Sequence, residues 1–163
     1  MSKKYKVVDL KDVNNILTSS PGEIKMMKKP LEAEQVAVTY RLMPPKTGAK
    51  GGRGHKHKTQ EEIVFVFAGK LEVKVDDEVI ELTPKTAVRI SPSAAQGMWN
   101  DGPDNVELLI ISRYSEDLMD DVEFVSDFWP EQKSGPSFHA RTTEAIQLPP
   151  KKRSSAPTLY LLL

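Results

Sequence analysis

The polar and apolar positions of this chain fall into short runs separated by turn formers, with very little helical period. Tyr5 to Val8 reads as a short strand, and Asp9 to Leu17 as one or two helical turns that Ser19-Ser20-Pro21-Gly22 breaks. Ile24 to Met27 is a second short strand, stopped by the Lys28-Lys29-Pro30 corner. Gln35 to Met43 alternates as a half-buried strand does, and Pro44-Pro45 ends it. Ile63 to Ala68 is β-branched and aromatic without a polar interruption, which predicts a buried strand closed by Gly69. Leu71, Val73 and Val75 then alternate with Glu72 and Lys74; Asp76-Asp77 turns the chain, and Val79, Ile80 and Leu82 return. Thr83-Pro84 leads into Ala87 to Ile90, and Val106 to Ser112 is a further buried strand. Many short strands with regular turns predict an all-β sandwich or small barrel.

The two ends differ from this middle. After Arg113 acidic residues (Glu116, Asp117, Asp120, Asp121, Glu123, Asp127) are interleaved with Leu118, Met119, Val122, Phe124, Val125, Phe128 and Trp129. Two readings stay open there: a short helix or strand packing on the barrel or on a second subunit, and a solvated tail with a few anchoring aromatics. From Ser134 onward Ser, Thr, Pro and basic residues dominate, too few of the apolar ones being regularly spaced to fold. The expected organisation is therefore an N-terminal arm over 1–34, a barrel core over 35–115, an acidic and aromatic segment over 116–133, and a disordered tail over 134–163. That tail reads as an added or frame-altered end, and its His139 receives no role.

Composition removes several classes of function. Lys plus Arg equals Asp plus Glu at 23 each, so no bulk charge draws the chain to nucleic acid or to an anionic membrane. There is no cysteine, which excludes disulfides and thiolate metal sites. No run reaches the ~20 apolar residues that span a bilayer, and the basic N-terminus has no apolar core behind it. A cytoplasmic protein is the expectation.

Chemistry concentrates in Gly54 to Gly69. His55 and His57 stand one residue apart, so in an extended strand their imidazoles leave from one face, and Glu62 follows at the mouth of the apolar run. Two imidazoles and a carboxylate can hold a divalent transition metal with coordination positions left open. The plainer alternative is a solvated His-x-His edge. The basic, glycine-rich loop over 46–54 lacks the Gly-Lys-Ser/Thr ending of a phosphate-binding loop.

This stretch resembles the first motif of the cupin superfamily: Gly, five residues, His-x-His, three or four residues, Glu, six residues, Gly. His55, His57, Glu62 and Gly69 fall on it; the first glycine would lie at Ala49, with Gly48 one place early. The resemblance extends over about residues 36 to 113. It implies a double-stranded β-helix, or jelly-roll, barrel with short flanking elements and the site inside. The second cupin motif (Gly, five residues, Pro-x-Gly, two residues, His, three residues, Asn) is degenerate here. Asn100 matches, Gln96 stands at the histidine, Lys85 and Ser93 at the glycines, and Ser91 at the proline, with Pro92 beside it.

The resemblance implies a metal (Mn, Fe, Ni or Zn) on His55, His57 and Glu62, with Gln96 in the place of the fourth ligand. A Gln carbonyl oxygen is a weaker, neutral ligand than imidazole. Three outcomes follow: metal on three residues with Gln96 and water completing the shell, a metal-free cavity binding an organic ligand, or partly relict polar residues around ordered water. Tyr40, Arg41, Arg53, Met98 and Trp99 are candidates to line or rim the cavity, and Arg89, alternating with apolar neighbours, is a candidate interior cation. Glu61 belongs on the opposite face of its strand. The expected ligand is a small organic molecule. As an enzyme the protein would be an isomerase, epimerase, lyase or dioxygenase; as a binding module it would hold a sugar or organic acid without turnover. Edge strands at the N-terminus and Phe124, Phe128 and Trp129 lead us to expect a homodimer.

Overall fold

The structure, a computed structural model, describes residues 4–113 and 118–130. Two antiparallel sheets face one another. The first has the order β1 (Glu23–Met26), β2 (Val36–Met43), β10 (Val106–Arg113), β5 (Glu62–Ala68), β8 (Ala87–Ile90). The second runs β11 (Val122–Val125), β4 (Gly54–His57), β9 (Gln96–Asn100), β6 (Leu71–Val75), β7 (Glu78–Leu82), with the two-residue β3 (Thr47–Gly48) also on β9. Consecutive strands repeatedly cross from one sheet to the other, which is the jelly-roll arrangement that the cupin resemblance implied.

The core lies between the sheets. Val64 and Val66 of β5, Leu71 and Val73 of β6, and Val106, Leu108 and Ile110 of β10 all point inward and form one cluster with Met43, Leu82, Ile90 and Met98. The strand expected to be buried throughout is one-sided. Glu62, Val64 and Val66 are buried, while Ile63 and Phe67 are 37% and 49% exposed on the outer face. A β5 paired on both edges can still leave an entire face outside the barrel, and its apolar residues are shared between core and surface.

Other local expectations are met in part. Tyr5 to Val8 forms no strand, and the helical stretch after it shortens to a single turn over Leu10–Asp12, capped by the Asp9 carboxylate accepting from the Lys11 amide. The Lys28-Lys29-Pro30 corner is a four-residue helix, α1 (Lys28–Leu31). Gly69 takes φ +75, and a Cβ there would collide with the Asn105 carbonyl, so the close approach of β5 to the β9–β10 loop needs glycine.

The acidic and aromatic segment joins the barrel. It forms the short helix α2 (Leu118–Asp121) and then β11, which pairs with β4 so that Val122 faces His57 and Phe124 faces His55. Phe128 and Trp129, expected at a subunit interface, are instead buried on their own barrel. The Phe128 ring lies directly on the backbone of Gly54, where a Cβ would collide with it, and close to Gly97, where a Cβ would crowd Ala49 first. The Trp129 carbonyl accepts from the Gly51 amide at 2.7 Å. The tail over 134–163 lies outside the described residues.

Candidate metal centre

His55 and His57 project from β4 on the same side, their rings 5.3 Å apart and nearly perpendicular. Glu62 opens β5 in the opposite sheet, and the three residues each offer a donor atom within 4.8 Å of the others. Ligands bonded to a common ion at ~2.1 Å stand roughly 3–4 Å apart, and His57 Nε2 and Glu62 Oε1 are at 3.4 Å. The donor set therefore fits a divalent ion with little adjustment.

What holds His57 in place comes from the far end of the domain. Its Nδ1 lies 3.1 Å from Asp121 Oδ2, at the end of α2. Asp121 Oδ1 accepts in turn from the Thr59 amide at 2.9 Å and from the Thr59 hydroxyl at 2.6 Å. A carboxylate fixing the outer nitrogen of a histidine leaves the inner nitrogen free to ligate and raises its basicity. The sequence gives Asp121 and Thr59 no such role. Only the alternation of Val122 and Phe124 behind Asp121 hinted at a strand that an acidic residue enters.

Gln96 is 1% exposed and registers with His55 across β4 and β9. Its Nε2 donates to Glu62 Oε2 at 2.6 Å. A carboxylate only accepts, so the amide must present its NH2 group to Glu62, and its oxygen is left over. That Oε1 is buried without a hydrogen-bond partner, a costly condition that a cation or a ligand donor would relieve.

The protonation preferences of the set follow from its surroundings. Burial, reinforced slightly by His57 and Arg41, pulls His55 down to about 4 against the opposing pull of Glu62, so it is neutral near pH 7 and its lone pair is available. Burial also disfavours charge on His57, but its bonds to Glu62 and Asp121 outweigh this and its pKa is raised. Glu62, penalised by burial, is nevertheless held below its usual range by His57, His55 and Gln96. Asp121 is likewise lowered, Thr59 and His57 outweighing burial. Both carboxylates thus favour the protonated form of His57, and a cation at its Nε2 would compete with that proton.

The remaining candidates divide. His55 forms part of the wall of a pocket of about 490 Å³, which Arg41, Arg53, Met98, Trp99 and Phe124 also line. Arg41 shares the inward face of β2 with Thr39 and Met43. Arg53 is exposed at the rim, 4.8 Å above the Phe124 ring. Trp99 Nε1 donates to Asp101 at 3.0 Å. Tyr40 is not in the pocket. It lies on the outer face of the sheet, where burial first, then Glu107 and Glu23, push its hydroxyl up to about 12. Arg89 is not interior either: it is exposed and pairs with Glu61 at 2.8 Å. It occupies the outer face of β8 opposite Ile63, because the alternation of that short strand buries Ile90 instead.

The second motif survives as backbone geometry. Lys85 and Ser93, at its two glycine positions, adopt left-handed φ of +69 and +68. The Ser93 amide donates to the His57 carbonyl at 2.6 Å, tying the turn before β9 to the metal-motif strand. Asn100 is fully buried and braces the same strand's far end: its Nδ2 donates to the Met43 and Asp104 carbonyls at 2.9 and 2.8 Å.

A family model described as the cupin domain matches residues 41–112. No curated protein matches the sequence. Among solved structures, a sugar phosphate isomerase of the cupin superfamily from Silicibacter pomeroyi superposes with a TM-score of 0.59 at 16% identity, over 78% of this chain and 97% of that one. A cupin protein from Bacteroides fragilis gives 0.55 at 20% identity, over 90% and 100%. A polyketide cyclase from Streptomyces resistomycificus gives 0.56 at 19%, over 69% and 88%. These likenesses bear on the fold: the two-sheet barrel is that of the cupin structures, and residues 41–112 are similar to the cupin domain.

Proposed function

We propose that the protein holds a divalent transition metal on His55, His57 and Glu62, with Gln96 beside it, and uses this centre to bind a small organic molecule in the adjoining pocket. The observation that carries the reading is the convergence of three donors from two sheets within 4.8 Å, backed by Asp121 on the outer nitrogen of His57. A metal here would supply Lewis-acid chemistry, or oxygen activation if iron or manganese, at positions the protein leaves open. No Asp or Glu lines the pocket among the described residues, so a reaction needing a separate carboxylate base fits poorly. Isomerisation, epimerisation or dioxygenation through the metal itself remain the enzymatic forms of the reading.

The rival is a metal-free binding module, and one observation favours it: Gln96 and His57 already satisfy both oxygens of Glu62. Metal content decides between them. Protein purified without chelators or a metal-affinity tag should carry close to one metal per chain, and His55→Ala and His57→Ala should each lose most of it. Equal metal stoichiometry in wild type and both variants would remove this site.

Two copies, in our reading, pair through the outer face of the five-stranded sheet. Ile63 and Phe67 are exposed there, with Phe65 edge-on to Phe67 at 4.9 Å, and an apolar face of this kind is self-complementary about a two-fold axis. Light scattering should give twice the chain mass; a concentration-independent monomer would reject the pairing. No described helix is long and apolar enough to cross a membrane.

A further inference from the structure

The pocket beside His55 has a one-sided charge. Arg41, Lys46 and Arg53 all line it, and no carboxylate does among the described residues. The three cations are not equivalent. Lys46 is spoken for, its Nζ lying 2.9 Å from Asp101 Oδ1 and 2.8 Å from the Asp101 carbonyl. Arg53 sits at the exposed rim over Phe124. Arg41 faces into the barrel from the middle of β2, and no acceptor or carboxylate among the described residues hydrogen-bonds or ion-pairs with its side chain, although it lies near enough to His55 to depress that imidazole. It is half-buried and lines the open pocket, and desolvation by the surrounding protein lowers even its pKa, to about 10.

A guanidinium in such surroundings is an expensive feature for a fold to retain. It presents five N–H donors in a rigid fork that matches an oxyanion, and burying it unpaired costs stability that a neutral side chain of the same length would not. Surface arginines escape that cost by reaching water, as Arg89 does while pairing with Glu61. Arg41 is held instead against apolar neighbours, Met43 on its own face of β2 and Leu108 opposite it on β10.

We infer that the pocket takes a small organic anion, whose carboxylate or phosphate docks on the Arg41 guanidinium while the rest of the molecule extends along the wall that carries His55. This rests on the proposed pocket next to the metal centre and narrows its ligand to one chemical class. Neutral sugars are excluded by it, since they would leave the cation unpaired. Trp99, Met98 and Phe124 supply the apolar part of the wall, and Arg53 at the rim adds attraction for an approaching anion without needing to touch it.

The test uses the full chain as purified, with sodium acetate and inorganic phosphate as probes, each titrated against choline chloride at matched ionic strength and followed by thermal unfolding and calorimetry. At least one of the two should stabilise the wild type saturably; acetate would assign a carboxylate ligand, phosphate a phosphate ester. Arg41→Met should weaken that binding roughly 10-fold or more, the size a charge-assisted hydrogen bond carries, and Arg41→Lys should retain part of it. Without added anion, Arg41→Met should melt at or above the wild-type temperature, because an unpaired, half-buried charge has been removed. An arginine that merely braced the fold would give the opposite sign. No saturable effect of either anion on the wild type, equal binding by Arg41→Met, or a lower melting temperature of that variant in anion-free buffer would each overturn the inference. Metal content, measured on the same samples, separates the two readings. Full metal with no anion effect sinks only the anion site, whereas anion binding by a protein without metal sinks only the metal centre.

Discussion

The interior of this barrel contains two regions built from the same strands. On β5 the inward positions run Glu62, Val64, Val66, and on β9 they run Gln96, Met98, Asn100. A shift of two residues along a strand leads from a metal-ligand candidate to a core valine. Val64, Val66, Leu71, Val73, Val106 and Leu108 belong to one apolar cluster, and each is essentially inaccessible. Around Glu62 the buried polar groups each depend on a specific partner: His57 on Glu62 and Asp121, Gln96 on Glu62, Asp121 on Thr59. The first region stabilises the fold by area alone and tolerates repacking. The second is at best neutral for stability unless each hydrogen bond is made, and the orphaned Gln96 Oε1 shows that the protein by itself does not complete it.

This contrast sets the expected sizes and kinds of mutational effect. Leu108→Ala, in the apolar region, should lower unfolding free energy by about 2–5 kcal/mol and leave metal stoichiometry of the folded protein unchanged; chemical denaturation together with metal analysis checks both halves. A matching loss of metal would mean the two regions are not separable. Asp121→Asn should do the reverse. It keeps the shape but removes the charge that orients His57, so metal affinity should drop about 10- to 100-fold with a much smaller change in the stability of metal-free protein, measured by competition with a chelating dye. Gln96→His replaces an amide oxygen with an imidazole, and metal affinity should rise by at least ~10-fold if the new bond adds more than ~1.4 kcal/mol. No gain for Mn, Fe, Ni or Zn would mean that position 96 does not reach the ion. Ser93→Gly, the mildest, relieves a left-handed backbone at a motif glycine position and should stabilise by less than about 1 kcal/mol, the larger unfolded-state entropy of glycine offsetting part of the gain. A destabilisation would show that the Ser93 side chain has a function of its own.

The apolar region was the more legible of the two in the sequence, because alternation with period two survives any substitution among Val, Leu and Ile. The strands from Gln35 to Met43, Ile63 to Ala68, Leu71 to Leu82 and Val106 to Ser112 were all readable for that reason. Which face each apolar residue took was not: Ile63, Phe65 and Phe67 look as buried as Val64 and Val66 until the second sheet is known to cover one side only. The turn before β9 was obscured for a different reason. Its left-handed position is filled by Ser93, as that of the turn before β8 is by Lys85, so the backbone kept a conformation whose usual marker is gone. Phe128 was misassigned to a subunit interface because its ring lies on the bare backbone of Gly54, which no hydrophobic pattern records, and Trp129 is buried beside it. Arg89 looked interior because its neighbours Val88 and Ile90 are apolar, yet only one of a strand's two faces turns inward.

Strand β11 has a consequence for how the centre comes into being during synthesis. The ribosome releases the residues in order, so His55, His57, Glu62 and Gln96 all emerge well before Asp121, whose segment must then return across more than sixty positions to lie against β4. A nascent chain that has reached Arg113 owns every ligand candidate, but lacks the Asp121 carboxylate that holds the outer nitrogen of His57. Capture of an ion by the proposed centre would thereby be deferred until β11 docks, and a premature stop before Asp121 would yield a barrel that folds around a loosely aimed histidine.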